Sequence, residues 1–172
     1  GVTFSGPVDL AFGGTITVTG GGGVGDAIVF SDVIEDSGND DTLVLVGGAS
    51  GTVDLQGNAG GTNQLAAFTV SSGLQVDLGS VATTGAQSVT GTNIDLNGAS
   101  YASDDGTIAF SGAVDLTVDV SVDSDANADA TDGDITFSST VDGAQSLTLD
   151  ADTGSVTISG ATGSGVALSS LA

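Results

Sequence analysis

The 172-residue chain contains no Lys, Arg, His, Cys, Met or Trp, and only one Pro and one Tyr. Each absence closes a class of chemistry. Without His or Cys there is no imidazole base, no thiolate nucleophile and no soft-metal ligand set; without Lys or Arg there is no Schiff base and no phosphate clamp. Nucleic acid is excluded as a partner and so are anionic membrane surfaces, because 22 acids without one basic side chain give a formal charge of −22 and leave no cation to displace counterions. No apolar run is long enough to span a bilayer as a helix. The opening GVTFSG has neither an initiator Met nor a charged leader, and is expected to belong to a processed or excised piece. Zero cysteine is compatible with an oxidising exterior.

What is present is Gly, Asp, Ser and Thr interleaved with short aliphatic stretches. Acidic tails that stay disordered are poor in apolar residues, whereas 39% of this chain is hydrophobic at short regular intervals, so it is expected to fold. Two large apolar residues recur two positions apart: Val2 and Phe4, Ile28 and Phe30, Val53 and Leu55, Val76 and Leu78, Ile94 and Leu96, Ile108 and Phe110, Ile135 and Phe137, Val156 and Ile158. Period-two alternation with a β-branched leader predicts a strand with one face buried. Runs such as GGGG, DSGND, GNAGG and ASDDG between the pairs predict turns, and no window sustains the helical i, i+3, i+4, i+7 pattern.

The pairs begin 26, 25, 23, 18, 14, 27 and 21 residues apart, a mean of 22. That length suits one coil of a β-solenoid, three short strands with turns between them. The 14-residue step from Ile94 to Ile108 is too short for a coil and is expected to mark an irregular stretch or a hairpin. A longer repeat encloses this beat. FSGPVDL (residues 4–10) returns as FSGAVDL (110–116), and further matches follow at offsets of 107 to 103 residues. Residues 1–106 therefore read as a first long repeat and 107–172 as a second, truncated copy, with the natural chain expected to continue on one or both sides. The fold predicted is an all-β solenoid of about seven or eight irregular coils. The alternative is a tandem immunoglobulin-like β-sandwich, since a repeat of this size also fits such a domain.

The phrases GTNIDLNGASYASDDGTIAFSGAVDL and GDITFSSTVDGAQSLTLDADTGSVTISGA resemble the β-strand-repeat regions of large secreted bacterial adhesins of the filamentous-haemagglutinin-like and autotransporter-like kind. The resemblance covers the chain well from about residue 90 onward and loosely before it. It implies a right-handed parallel β-helix, secretion across the envelope, an extracellular or cell-surface location, and a role in adhesion, filament or biofilm matrix. It carries no binding residue over to any position here.

The sharpest local feature is VDSDANADATDGD, in which Asp123, Asp125, Asn127, Asp129, Asp132 and Asp134 place oxygen ligands at loop positions 1, 3, 5, 7, 10 and 12. Such spacing suits Ca²⁺, which takes six to eight oxygens from flexible loops. Ala128 stands where the EF-hand pattern has Gly, and Asp134 where it has Glu; a solvated acidic turn is the plainer account. GGGVGDAIV is one imperfect copy of a calcium-binding nonapeptide and reads better as a glycine corner before a strand. Asp40 with Asp41 and Asp104 with Asp105 are carboxylate pairs of the sort glycoside hydrolases use, but each sits in a turn where Asp bonds locally. TITVT (15–19) has alternate threonines that do not recur as a ladder.

The expectation is a stiff structural or adhesive segment of a secreted bacterial surface protein or extracellular fibre, with no catalytic site and no required cofactor. Its expected partners are neighbouring repeats of the same or identical chains, and host or matrix glycans or proteins. A calcium-dependent binding module is the alternative function, and a carbohydrate-active β-helix enzyme a more distant one.

Overall fold

The computed structural model describes residues 1–38, 40–128 and 131–172. Among them there is no helix, and every strand pairing is parallel. Connections of a few residues cannot return a chain to a parallel position beside its own previous strand. Each strand instead turns a corner onto a new face, and the chain meets its earlier path one coil later. The result is a right-handed β-solenoid of about seven turns. A tandem sandwich, which needs antiparallel sheets, is excluded.

Three faces make up each coil. The first holds Val2–Phe4, Ala27–Phe30, Thr52–Leu55, Gln75–Leu78, the second halves of Gln87–Leu96 and Ile108–Leu116, and Val141–Asp142. The second holds Val8–Leu10, Ile34–Asp36, Val81–Thr83, Ser100–Ser103, Val120–Asp123, Ser146–Asp150 and Ser170–Leu171, with Ala59 bridging Ile34 to Val81. The third holds Thr15–Thr19, Thr42–Val46, Ala67–Ser72, the first halves of the two long strands, Ile135–Phe137 and Val156–Ile158. The long strands bend around the corner from the third face to the first, with a register shift between Thr90 and Asn93.

The apolar pairs point inward and stack in register. Val2, Ile28, Val53, Val76, Ile94, Val114 and Val141 form one column of the first face, with Phe4, Phe30, Leu55, Leu78, Leu96 and Leu116 beside it. Burying each such side chain contributes about 2 kcal/mol. Coil lengths along this column run from 18 to 27 residues. The short step from Ile94 to Ile108 is neither irregular nor a hairpin. Ile108 and Phe110 lie on the third face, over Gln87 and Val89, and the first-face partners of Ile94 and Leu96 are Val114 and Leu116. The last three pairs thus occupy a different face from the first five. One polar residue enters a third-face column: Gln87 is buried, and its Nε2 donates to the Ala102 carbonyl at 2.7 Å.

Corners are set by glycine and small hydroxyls. At the turn from second to third face, Gly85, Gly106, Gly133 and Gly154 stack so closely that a Cβ on Gly106, Gly133 or Gly154 would lie 2.2 Å from backbone of the glycine one coil below. Ser103 and Ser124 brace the same corner by donating to the Gly85 and Gly133 carbonyls at 2.9 and 2.7 Å.

The long repeat does not return to the same face. Phe4 and its match Phe110 lie on the first and third faces; Val8–Leu10 and Val114–Leu116 on the second and first; Thr42–Val46 and Ser146–Asp150 on the third and second. Matched segments are separated by four coils and two faces, and each later copy sits one face back.

Candidate functional site

A chain without Lys, Arg or His must hold its carboxylates without cationic side chains, and here they are held by backbone amides, largely those of the adjacent coil. Thr62 and Asn63 N–H donate to Glu35, Ser146 N–H to Asp119 at 2.8 Å, Ser155 N–H to Asp134 at 2.8 Å, and Gly165 N–H to Asp142 at 2.7 Å. Local bonding was expected for the Asp40–Asp41 and Asp104–Asp105 pairs; these bonds instead cross to the next coil and tie two coils together. Charge-assisted bonds of this kind are about twice as strong as neutral ones. Asp41 is fully buried, and Phe12 and Gly14 N–H donate to its two oxygens at 2.9 and 2.8 Å. Burial alone would raise its pKa, but amide bonds from Gly14, Phe12 and Gly13 together outweigh that and lower it. Its contribution is therefore present above the ordinary Asp range and lost as pH falls through the lowered value.

A second arrangement escaped the sequence reading. The outward residue between each first-face pair is Asp54, Asp77, Asp95, Asp115 and Asp142 in five consecutive coils, all in register. Parallel strands lie about 4.8 Å apart, so this is a ladder of like charges. Gln56 and Gln75 relieve it at one end by donating to Asp54 and Asp77 at 2.8 and 2.9 Å. The Asp95 carboxyl is raised above its ordinary value, chiefly by burial and further by Asp77 and Asp115 on either side. A raised folded-state pKa contributes stability that is present below the unfolded value and lost as pH rises through the folded one. Asp95→Asn is accordingly expected to raise the melting temperature by about 2–4 °C at pH 7, from relief of two like-charge cross-strand contacts. The gain should vanish near pH 3.5, where wild type is itself protonated; thermal melts at both values check this.

The predicted calcium loop follows Val120–Asp123 and leads into Ile135–Phe137. Its described residues take separate partners. Asp123 Oδ1 accepts the Asp125 N–H at 3.0 Å, Asn127 Nδ2 donates to Asp105 at 3.1 Å, Asp134 caps Ser155, and Asp129 lies outside the described residues. Asp125 and Asp132 do come together, joined by Asp152 from the following coil, with one oxygen from each all within 4.8 Å of one another. Asp132 Oδ2 accepts from the Thr153 N–H at 3.0 Å and from the Thr153 hydroxyl. Ala128 adopts a positive φ of 54°, so the loop makes its sharp turn where the EF-hand pattern calls for Gly. Asp152 could not be found from linear spacing, because it enters across the coil stack.

The remaining candidates resolve into structural roles. Gly22 and Gly25 take positive φ in the GGGG corner, and Asp26 closes it by accepting the Gly23 N–H at 2.9 Å. Asp104 accepts from Gln64, two coils back, and Asp105 from Asn127 on the following coil. Thr15–Thr19 pairs in register with Thr42–Val46. A shallow depression of about 250 Å³ between Asn58 and Ser100 has walls of Gly, Ala, Val, Ser and Asn, with no titratable group.

The class this architecture defines is a right-handed parallel β-solenoid. No family model matches the chain. No curated protein matches it either. Nor does any solved structure.

Proposed function

We propose that the chain is a non-enzymatic structural or adhesive segment of a secreted bacterial surface protein or extracellular fibre. The observation that carries this reading is the use made of the polar groups. Carboxylates, the only charged side chains the composition leaves, are largely spent on tying coil to coil, and the solenoid columns run unbroken beneath them. The wording of the repeats supports placement outside the cell, and the acidic surface suits a hydrated, repelling exterior. Antibody raised against the chain should label intact producing cells or their matrix, with binding to a panel of immobilised glycans and matrix proteins identifying the contact. Labelling confined to the cell interior would overturn the reading.

A calcium-dependent module is the second reading, favoured by the convergence of Asp125, Asp132 and Asp152. Calorimetry is expected to show about one Ca²⁺ taken up per chain with a Kd on the order of 10⁻⁴ M, as in extracellular modules. Asp132→Asn with Asp152→Asn should abolish uptake while leaving the far-UV spectrum unchanged. Heat-free titration of the wild type would end this reading and leave the structural one standing.

A further inference from the structure

We infer that the third face is a docking strip for an uncharged, extended polysaccharide lying along the solenoid axis. This deepens the adhesive reading above, on which it rests, by naming the chemistry of the contact.

The argument begins with where the charge does not fall. The chain carries 22 acids and no base. First-face strands expose the ladder from Asp54 to Asp142, and second-face strands carry Asp9, Glu35, Asp36, Asp123 and Asp150. The third-face stretches TITVT, TLVLV, AFTVSS, QSVT, IAFS, ITF and VTI contain no acid at all. Folding does not demand this. The outward position between two inward apolar residues is Asp in five consecutive coils of the first face, so the solenoid accepts a carboxylate at such a site. On the third face the same position runs Thr17, Val44, Thr69, Ser88, Ala109 and Thr136, in register. Thr90 and Ser111 continue the hydroxyl surface beside Ser88 and Ala109. Asp134, just before Ile135, borders the strip and is held by the Ser155 N–H at 2.8 Å.

The hydroxyls of this strip are unspent. Elsewhere they brace the coils: Ser103 and Ser124 donate to glycine carbonyls, and Thr117 to the Leu96 carbonyl at 3.1 Å. Among the described residues, the one outward third-face hydroxyl that donates within the chain is Ser71, to the Leu45 carbonyl at 3.4 Å. The others keep an O–H donor and two lone pairs for a partner.

Charge and area then select the occupant. Anionic partners are repelled by the chain as a whole, and cations are drawn to the carboxylates of the other faces and the corners. Six rungs about 4.8 Å apart and five residues of about 3.3 Å each give a strip of roughly 24 by 13 Å. That is well short of the roughly 800 Å² per side of a stable protein interface. A second copy or an apolar protein surface would also bury the hydroxyls without partners, at a cost for each. An uncharged polysaccharide brings hydroxyls of its own along a narrow ribbon, and the acidic flanks do not repel it. A crystal face such as ice would need the same group on every rung, and Val44 and Ala109 interrupt the hydroxyls.

Co-sedimentation of the intact chain with amorphous cellulose, an uncharged β-linked glucan, is expected to deplete it from solution. Depletion should be equal at about 0.05 and about 0.5 M NaCl, because neither contact surface is charged. Thr69→Asp with Ser88→Asp puts two carboxylates in mid-strip and should weaken binding at least about ten-fold. Ala82→Asp with Ala102→Asp adds the same charge in register on the second face and should leave binding within about two-fold of wild type. Ser111→Asp, at an exposed position, replaces the first pair should far-UV circular dichroism show that pair unfolded. Absence of binding to cellulose and chitin alike overturns the proposal, as do equal losses in the two variant pairs, preference for anionic alginate, or binding abolished by salt. A doubling of mass that Thr69→Asp with Ser88→Asp removes would make the occupant a second copy and overturns it as well. Cell-surface labelling by antibody is independent of these readouts, so labelled cells with no cellulose binding would sink the glycan assignment alone.

Discussion

Phe110→Ala is expected to lower the melting temperature by about 8–15 °C, from a loss of about 3–5 kcal/mol. Phe110 is fully buried on the third face, stacked on Phe137 with ring centroids 5.0 Å apart and meeting the edge of Tyr101 at 5.7 Å. Tyr101 is itself fixed, since its hydroxyl donates to the Leu78 carbonyl at 2.8 Å and accepts the Gly98 N–H. Those two bonds and its full burial hold the Tyr101 ring in place, so it does not swing into the cavity left by the lost ring. The interior is narrow and its strands are locked by ladders on both sides, leaving little freedom to collapse. Differential scanning of the two proteins checks the value; a shift below about 3 °C would place the ring outside the load-carrying column.

Gly106→Ala is expected to cost on the order of 3 kcal/mol from a single methyl group. The added carbon would lie 2.2 Å from the Gly85 carbonyl carbon and 2.3 Å from the Ala86 nitrogen, both backbone atoms of the coil below. Relief requires the coils to separate at that corner, which would also break the Gly106 N–H bond to the Ser103 hydroxyl, 2.8 Å long. Gly6→Ala is the matched control. A Cβ there meets nothing within 4 Å, so its melting temperature should be within about 2 °C of wild type. Equal effects at the two positions would show that the glycines act through chain flexibility, not through close approach.

The solenoid was legible in the sequence because inward alternation survives any choice of face. Val53 with Leu55 and Ile135 with Phe137 carry the same signal whether they stand on the first face or the third. For that reason the pairs could not reveal the switch of face, and the 14-residue step looked irregular. The aspartate ladder was written openly, as the D of VDL, VDL, IDL, VDL and VDG at residues 53–55, 76–78, 94–96, 114–116 and 141–143. Its meaning depends on register, which a spacing count alone does not fix. The acidic loop divides the same way. Asp125 and Asp132 could be paired from local spacing, whereas Asp152 joins them only once coils are stacked. Amide capping by Glu35, Asp119 and Asp134 was hidden for the same reason: the donors lie between 20 and 30 residues away, a distance that is one turn in space.

The one-face setback between copies of the long repeat has a consequence for whatever touches the outside. A surface feature written once per copy does not line up along one flank. It climbs around the shaft like the stripe on a barber's pole, coming back above itself only after three copies. A partner reading such marks would meet them from every side of the solenoid in turn, and solenoids lying side by side would find no single seam along which to zip.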